Sequence, residues 1–491
     1  MRSGSGSLGV EAVAQQADLM LDEPIILDEL ATGKDKGQAH PRRRFKWGFK
    51  RPALVLLTLI IAGGLFMGVK FYITERHLFR GGGGAPALAS NIDVNNLRGE
   101  GDGRINILIL GNGGPEHQEG PDLTDTIMIA SIDPINNQVS LLSLPRDLWV
   151  KIPGDGSHKI NEAYYYGKQN SKSKNLVDQD KNGVDWADKT LEPILGIPIH
   201  YHVVVDFAAF RQTIDAVGGV DVNVPKDLSV YDVLWDEGTR RSYVLDIKPG
   251  QQHFSGILAL LYARSRYTSA RGDFDRAERQ RLLLTALKDK VLSVGTFSNP
   301  VRVSSLLSSL GNNVYTDFSL NDIKRLNEII SKIPSSNISS LDLVTPPHDL
   351  LMTANLNGLS IVQPKAGLFS YGALGSYIRN ALRDGLLIKE NSPVAIYNAT
   401  SITGLATKEA DLLKSYGYNV TTVASLPKAT DPAKSVLVDL SGGADKYTRH
   451  YLEQRLALVA VNKLPADTGI TPPSGTKFVI ILGKDANGTT Q

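Results

Sequence analysis

The sequence contains no cysteine and carries almost no net charge. Without cysteine among its 491 residues, the chain has no disulfides, no thiolate metal sites and no cysteine nucleophile. A formal charge of +2 is too small to indicate a nucleic-acid-binding protein. The chain also lacks a P-loop, a serine elbow and the H-E-x-x-H zinc spacing. If the protein is an enzyme, its catalytic groups are therefore not a cysteine, a P-loop, a serine nucleophile or a zinc ion bound by this motif.

One apolar run predicts a membrane span. Residues 53–69 carry no charged side chain, and a basic cluster lies directly before them, from Arg42 to Arg51. The run approaches the ~20 residues that cross a bilayer, and positive charge stays on the cytoplasmic side. We predict a single transmembrane helix over 52–73 and a disordered cytoplasmic tail over 1–51. The alternatives are a buried core helix and a cleaved signal peptide, for which the tail is too long.

Everything after the span is predicted to lie outside the cell. Residues 74–103 are rich in glycine and indicate a linker. From Ile105, short β-rich apolar runs alternate with amphipathic helical patterns, which predicts a layered α/β domain over 104–385. A second alternation over 392–491 predicts a small α/β domain.

Six arginines and no lysine occur within residues 262–281, namely Arg264, Arg266, Arg271, Arg276, Arg279 and Arg281. An arginine fork grips two phosphate oxygens, which lysine cannot do. A helix starting near residue 273 would place Arg276, Arg279 and Gln280 on one face, with leucines below them. This stripe suits a diphosphate joined to a hydrocarbon. The alternative is a solvated surface of salt bridges to nearby acids.

Polar side chains in three other segments lie near predicted strand ends. Arg146 and Asp147 follow the strand VSLLSLP, Asp125 precedes the strand TIMIASID, and Lys159 lies in HKINEAYYYG. Because α/β domains build their sites at strand ends, we expect these residues to meet the arginine cluster. The apolar runs VVVDFAAF, FSGILALLY and RLLLTALKDKVL are either ordinary core or the lining of a lipid slot.

The motifs NILILG, LTDTIMIASIDP, VSLLSLPRDLWVKIPG, KINEAYYYG, VDFAAFRQTIDAVGGVDV and DFDRAERQRLLLTALKDKV, in this order, resemble the LytR–CpsA–Psr family. The segment 392–491, opening VAIYNATSITGLA, is similar to the C-terminal domain that often follows in these proteins. The resemblance implies a membrane-anchored, extracytoplasmic phosphotransferase. Such an enzyme moves a glycopolymer from a polyprenyl-diphosphate carrier to a hydroxyl of peptidoglycan.

The resemblance also implies roles for particular residues. The residues implied to hold the diphosphate are Arg146, Lys159, Arg264, Arg266, Arg276 and Gln280, with Asp147 orienting Arg146. Asp125 is implied as a Mg²⁺ ligand, and as catalytic together with Arg146 and Arg264.

The chain departs from the family pattern after the first strand. Asn112 and Gly113 stand where the family carries an aspartate. Substitute ligands would come from Asn112, Glu116, His117 or Asp122, since hard cations prefer oxygen. The other interpretation is that His117 and Glu116 are ordinary polar members of a glycine-rich loop.

Residues 178–189, DQDKNGVDWADK, begin like a calcium loop. Lys189 stands where the bidentate glutamate belongs, so the motif is incomplete. The polar stretch around it predicts a flexible insertion.

Two further functions compete with the transferase. With water as acceptor, the same arginines would give a polyprenyl-diphosphate hydrolase. Without catalysis, the chain would be a membrane protein that binds wall polymers through its C-terminal domain. Transcriptional regulation fits poorly, because the domains are predicted outside the cell and lack a basic recognition helix.

Overall fold

The computed structural model describes residues 81–118, 120–265, 273–293, 310–311, 313–344, 347–428 and 430–487. The predicted cytoplasmic tail and membrane span lie outside these ranges. Within them, no helix combines the length and apolar character needed to cross a membrane.

The larger domain is built on strands and helices in alternation. Its strands are β1 (Ile105–Asn112), β2 (Thr124–Asp133), β3 (Gln138–Ser143), β4 (Trp149–Ile152), β5 (Gly156–Lys159), β6 (Tyr201–Asp206), β7 (Val220–Val224), β8 (Val230–Asp236), β9 (Arg241–Ile247), β10 (Gly250–Phe254), β11 (Val314–Thr316), β12 (Ile338–Leu341), β13 (Leu351–Leu356) and β14 (Leu359–Pro364). Its helices are α1 (Ala163–Gln169), α2 (Leu176–Leu195), α3 (Phe207–Ala216), α4 (Gly256–Arg264), α5 (Asp273–Ser293), α6 (Leu320–Ile330) and α7 (Gly372–Ala381).

A six-stranded sheet in the order β11-β6-β1-β2-β3-β12 forms the centre of this domain. Strand β1 pairs in parallel with β6 and antiparallel with β2. Successive residues of a strand point to opposite faces, and β1 is apolar on both of them. Leu108 and Leu110 enter one hydrophobic core, whereas Ile105 and Ile107 enter another. A strand buried on both sides needs helices on both sides.

Helices cover both faces of the sheet, as the sequence predicted. On one face, Tyr164 of α1, Leu191 of α2 and Ile378 of α7 are buried in a common core. On the other face, α6 contributes Ile329, and Leu284 of α5 packs against the same cluster. The domain is therefore a three-layer α/β/α structure, and the layered α/β prediction is confirmed.

Side-chain caps mark the starts of two helices. The Ser255 hydroxyl accepts a hydrogen bond from the Leu258 N–H at the start of α4. Ser319 and Asp322 form a reciprocal capping box at the start of α6. Each cap satisfies N–H groups that the first helical turn leaves without a partner.

The prediction of a flexible insertion at 178–189 is wrong. These residues lie inside α2, which begins after the Asn175 cap and ends at Gly196 in the left-handed conformation. Val184, Ala187 and Leu191 recur at helical spacing and are buried. Burial of this apolar stripe outweighs the local calcium-loop resemblance, and a helical backbone cannot wrap a calcium ion.

The C-terminal domain is a second α/β unit. Its strands are β15 (Pro393–Asn398), β16 (Asn419–Ser425), β17 (Val436–Asp439) and β18 (Phe478–Leu482), in the order β16-β15-β18-β17. Its helices are α9 (Leu405–Tyr416) and α10 (Lys446–Leu456), and α8 (Gly385–Glu390) leads into it from the larger domain. Helix α9 stops at Gly417, whose φ of 102° suits glycine.

The segment from Pro86 to Gly103, which we name the strap, is not the free linker that the sequence predicted. Ala87, Leu88 and Leu97 of the strap are buried. Asp384, itself buried, accepts hydrogen bonds from the N–H groups of Gly101 and Gly103, each at 2.8 Å. Glycine allows both a flexible chain and a close approach of the backbone to a neighbouring group. Composition alone does not show which of the two roles a glycine-rich segment has.

The C-terminal domain holds the other side of the strap. The Arg455 guanidinium pairs with the Glu100 carboxylate at 2.6 and 3.0 Å. The Tyr418 hydroxyl donates to the same carboxylate at 2.7 Å, and the Tyr451 hydroxyl donates to Asp384 at 3.1 Å. The strap is therefore fixed between the two domains by charge-assisted hydrogen bonds.

His202 of β6 is buried and lies between the carboxylates of two other segments. His202 Nδ1 is 2.6 Å from Asp317 Oδ2, and its Nε2 is 2.7 Å from Asp188 Oδ2. Burial lowers the pKa of His202, but the two carboxylates outweigh burial and raise this pKa to about 9. The imidazole is therefore charged and joins α2 to the segment after β11.

We predict that His202 makes stability depend on pH above neutrality. Its folded pKa lies above the ordinary value, so the stabilisation is complete below about pH 6.5 and is lost as pH rises through 9. The loss should be on the order of 2 kcal/mol. Thermal unfolding of the wild type at pH 6.5 and 9.5 should show this loss, whereas His202→Gln should not. The exposed His253→Gln variant is the control and should behave like the wild type.

Candidate active site

A β-bulge shapes one edge of the central sheet. Gly111 of β1 lies opposite Thr126 of β2, but the next residue, Asn112, lies opposite Thr124. Asp125 is therefore the extra residue of the bulge, between Thr124 and Thr126. A bulge re-aims the side chain that it carries. The Asp125 carboxylate accepts a hydrogen bond from Arg146 Nη1 at 2.8 Å.

Arg146 reaches Asp125 because β3 ends at the same edge of the sheet. Its Nε lies 3.8 Å from Asp147 Oδ2, and the other Asp147 oxygen lies 2.7 Å from Lys159 Nζ. Asp147 thus stands between two cations and holds both of them. The structure brings together all four of these sequence-predicted residues.

Helix α5 adds two further predicted residues to this edge. Arg276 Nη2 donates to the backbone carbonyl of Asp125 at 3.0 Å. Gln280 Nε2, one turn further along, donates to the Thr126 hydroxyl at 3.1 Å. The same helix face therefore contacts two successive residues of β2, as the spacing predicted.

Arg279 does not belong to this face, which corrects the sequence-based placement. Its side chain is 1% exposed and donates to the carbonyl oxygens of Tyr262 and Ser265. These two carbonyls lie at the end of α4, where backbone acceptors have no intrahelical partner. Arg279 therefore joins α4 to α5 and takes no part in the site.

Arg264 approaches the same edge from α4. Its guanidinium lies 4.5 Å from the centroid of the Phe207 ring, and its Nη1 is 3.8 Å from Asp236 Oδ1. Burial lowers the pKa of Arg264, while Asp236, Glu237 and Asp125 act to raise it. The Asp125 carboxylate therefore attracts the Arg264 guanidinium electrostatically. The predicted residue Arg266 lies outside the described residues.

A cavity of about 710 Å³ opens beside Arg264 and Gln280 and continues between the sheet and the helices. Its walls are almost entirely apolar. The three runs weighed as slot or core contribute Val203, Val205, Phe207, Phe210, Leu260, Leu284 and Leu287 to its lining. They therefore line a slot whose head is polar and whose body is apolar.

Two amide oxygens at this edge are buried without a hydrogen-bond partner among the described residues. They belong to Asn112 and Asn161. Asn161 Nδ2 lies 3.4 Å from the Asp125 carboxylate, and Asn112 is opposite the residue next to Asp125. An orphaned buried oxygen is costly, and two beside a carboxylate make an oxygen-rich donor set. Asn161 was not predicted, because its polarity in KINEA carries no distinguishing signal.

Three of the alternative metal ligands have other partners. Glu116 pairs with Arg211, His117 with Glu237, and Asp122 with Lys168. No group of three or more histidine, aspartate or glutamate side chains with metal-binding geometry occurs in the part of the chain that the structure describes. Asn112 is the substitute that stays next to Asp125.

Asp206 is a site residue that sequence reasoning missed. It ends β6 beside Asn112, lines the cavity, and caps α3 by accepting from the Ala209 N–H at 2.7 Å. Burial raises the pKa of Asp206 to about 6, despite that hydrogen bond. Its position between a strand and a helix in YHVVVDFAAF was the available signal.

We predict that Asp206 lowers stability as pH rises. Its folded pKa lies above the ordinary 3.8, so ionisation between about pH 4 and 6 costs folding free energy. Asp206→Asn keeps a good helix cap and removes this cost. Its thermal unfolding midpoint should rise relative to the wild type from pH 4 to pH 7. The exposed cap variant Asp93→Asn should show no such pH-dependent gain, and equal gains in both variants would contradict the assignment.

Arginines at the head of an apolar slot, on the edge of an α/β/α sheet, form a site for an anion joined to a hydrocarbon. The sequence model of the LytR_cpsA_psr family matches residues 85–366, which is more than half of the chain. The chain belongs to this family. Residues 391–485 match a second model, described as LytR cell envelope-related transcriptional attenuator.

Similar proteins are found in several bacteria. The chain is 33% identical over 293 residues to the polyisoprenyl-teichoic acid–peptidoglycan teichoic acid transferase TagU of Oceanobacillus iheyensis, covering 58% of this chain and 82% of that protein. It is 35% identical over 224 residues to the transferase TagV of Bacillus subtilis, covering 45% of this chain and 51% of that one. The regulatory protein MsrR of Staphylococcus aureus is 33% identical over 223 residues, covering 45% and 59%. The crystal structure of B. subtilis TagV superposes with a TM-score of 0.43 at 29% identity, covering 57% and 96%.

Proposed function

We propose that this protein is an extracytoplasmic phosphotransferase. It moves a glycopolymer from a polyprenyl-diphosphate carrier to a hydroxyl of peptidoglycan. The observation that carries the proposal is a group of arginines at one end of an apolar slot. Arg264 lines the slot, and Arg146 and Arg276 bind Asp125, the neighbour of the slot residue Thr126. Two similar proteins, TagU and TagV, are named as transferases that use a polyisoprenyl-linked polymer and peptidoglycan.

The two ends of the slot match the two parts of the carrier. Guanidinium groups bind phosphate oxygens in pairs and stay charged at any physiological pH. The apolar walls favour a hydrocarbon because its transfer from water gains about 25 cal/mol per Å². Gln280 lines the slot and contacts Thr126 beside the bulge. A carrier seated here would hold its diphosphate beside Asp125.

The reaction is a displacement at phosphorus. The acceptor oxygen forms a new bond to the phosphorus that carries the glycopolymer, and the bond from this phosphorus to the bridging oxygen breaks. Prenyl phosphate leaves with the electron pair of that bond, and the acceptor proton passes to a carboxylate. Asp206 lies at this edge with a pKa of about 6, which suits a general base. The arginines stabilise the charge that develops on the phosphate oxygens.

The donor set beside the bulge fits Mg²⁺. The carboxylate of Asp125 and the amide oxygens of Asn112 and Asn161 would hold it, since magnesium prefers oxygen ligands and retains several waters. When bound, the ion would neutralise phosphate charge. Asn112 replaces a carboxylate by a neutral oxygen, so the site is weaker than one with two acids.

The predicted helix over 52–73 would anchor the protein to the cell membrane with its N-terminus in the cytoplasm. Both folded domains would then face the carrier and the wall outside the cell. The basic residues before the apolar run support this orientation.

We predict that the site arginines are needed for transfer. Arg146→Ala, Arg264→Ala and Arg276→Ala should each lower the rate of glycan transfer by about 10²–10³-fold, because each removes a preorganised donor to the developing charge. The measurement is transfer from a prenyl-diphosphate-linked oligosaccharide to peptidoglycan fragments. Arg281→Ala is the matched control on the same helix, since the Arg281 guanidinium pairs with Glu278 of that helix.

The outcomes of this assay separate the competing functions. Full transfer by Arg264→Ala and Arg276→Ala would contradict the proposal and favour a non-catalytic binding protein. Release of prenyl phosphate at the same rate with and without acceptor would favour the hydrolase. Thermal unfolding of each variant shows whether a loss reflects the site or the fold.

We predict that Asn112→Asp strengthens divalent cation binding by about tenfold, because an added carboxylate raises the ligand charge. Titration with Mn²⁺, followed by electron paramagnetic resonance without any substrate, measures the affinity. Asn161→Leu should weaken binding, and Asn398→Asp in the C-terminal domain should leave it unchanged. Equal affinities in Asn112→Asp and the wild type would exclude a metal at the bulge.

A further inference from the structure

The hairpin of β8 and β9 presents an apolar face to solvent. Tyr231, Val233 and Trp235 alternate along β8 and are 63, 60 and 53% exposed. Val244, paired with Val233 across the hairpin, is 43% exposed. Large apolar side chains grouped in this way on a surface mark a binding site.

The opposite face of the hairpin is part of the domain. Val230, Leu245 and Ile247 are buried in the same hydrophobic cluster as residues of α3, α4 and α5. The hairpin is therefore a fixed element with a packed inner face. The described residues provide no cover for its outer face, which we call the hairpin patch (Tyr231, Val233, Trp235 and Val244).

The hairpin turn is fixed at the head of the slot. Asp236, the residue after Trp235, lies 3.2 Å from Arg211 and 3.8 Å from Arg264. Its carboxylate also accepts hydrogen bonds from the N–H and the hydroxyl of Thr239, which hold the turn. Trp235 of the hairpin patch is therefore the direct neighbour of Asp236, whose carboxylate positions Arg264.

The chemistry of the patch fits a bilayer surface. The patch has tyrosine and tryptophan at its ends and valines between them. Tyrosine and tryptophan are the side chains enriched at membrane–water interfaces. Arg240 and Arg241 are exposed at the turn, where cations would meet anionic headgroups. Valines lie between the two aromatic residues, and the polar residues Ser242 and Asp246 flank them on β9.

We propose that the hairpin patch docks on the surface of an anionic lipid bilayer and holds the head of the slot at the headgroup level. This inference rests on the proposed function, because a prenyl carrier must pass from a bilayer into the slot. Trp235 and Tyr231 enter the interface, and Arg240 and Arg241 bind lipid phosphates. Docking shortens the path along which the carrier's apolar tail would meet water.

The absence of cysteine makes a direct test possible. The full chain with Val233→Cys, labelled with an environment-sensitive fluorophore, is placed in nanodiscs containing phosphatidylglycerol and spin-labelled lipid. We expect quenching of the label by about twofold, because an interfacial side chain lies within reach of the spin label. The matched control is Val459→Cys, which is 81% exposed and lies in the C-terminal domain. No substrate is present, so the result does not depend on transferase activity.

A second pair of variants tests the role of charge. Arg240→Gln with Arg241→Gln should lower the docking equilibrium by roughly twentyfold, since each cation near an anionic surface contributes several-fold. The effect should disappear in nanodiscs of phosphatidylcholine alone. Quenching at both labelled positions, or at neither, would overturn the proposal. The proposal would also be overturned if the fluorescence of the label at position 233 were unchanged by lipid but changed on adding soluble peptidoglycan fragments. That result would make the patch a glycan site. Loss of docking with retained transfer would leave the proposed function intact.

Discussion

Repulsion between like charges is the constraint on which the site depends. Arg146 and Lys159 share the carboxylate of Asp147, and Arg146 also pairs with Asp125. Arg264 is kept in place by Asp236 and by the face of an aromatic ring. Without these partners, cations drawn to one sheet edge would push each other apart. The acids therefore preorganise a positive surface that an incoming anion finds already assembled.

The bulge in β2 turns an ordinary sheet edge into that site. One extra residue places the Asp125 carboxylate towards Arg146, while its backbone carbonyl accepts from Arg276. A regular ladder would have paired Asp125 with β1 and sent its side chain to one face of the sheet. A single irregularity thus joins three chain segments: β2, the end of β3 and helix α5.

Much of this was predictable from the sequence, because it follows from local pattern. Strand periodicity gave the layers, and spacing on α5 placed Arg276 and Gln280 together. The inward position of Arg279 was not predictable, since it depends on where the last carbonyls of α4 lie. Helix α2 was missed because the polar stretch around an incomplete calcium motif predicted a flexible insertion, although a buried apolar stripe runs through it. Both errors arose where a tertiary contact decided between two locally acceptable structures.

The strap has a mechanical consequence. It is the stretch of chain through which a membrane anchor would transmit load to the folded body. Glu100 is bound by Arg455 and Tyr418 of the C-terminal domain, whereas Ala87 and Leu88 at the other end of the strap are buried in the core of the larger domain. A pull on the N-terminal side would therefore reach the larger domain first, at Ala87 and Leu88, and the C-terminal domain only further along, at Leu97 and Glu100. Truncation before α9 would remove the contacts that Arg455 and Tyr418 make with the strap. The C-terminal domain is therefore a structural part of the protein that holds the strap in place.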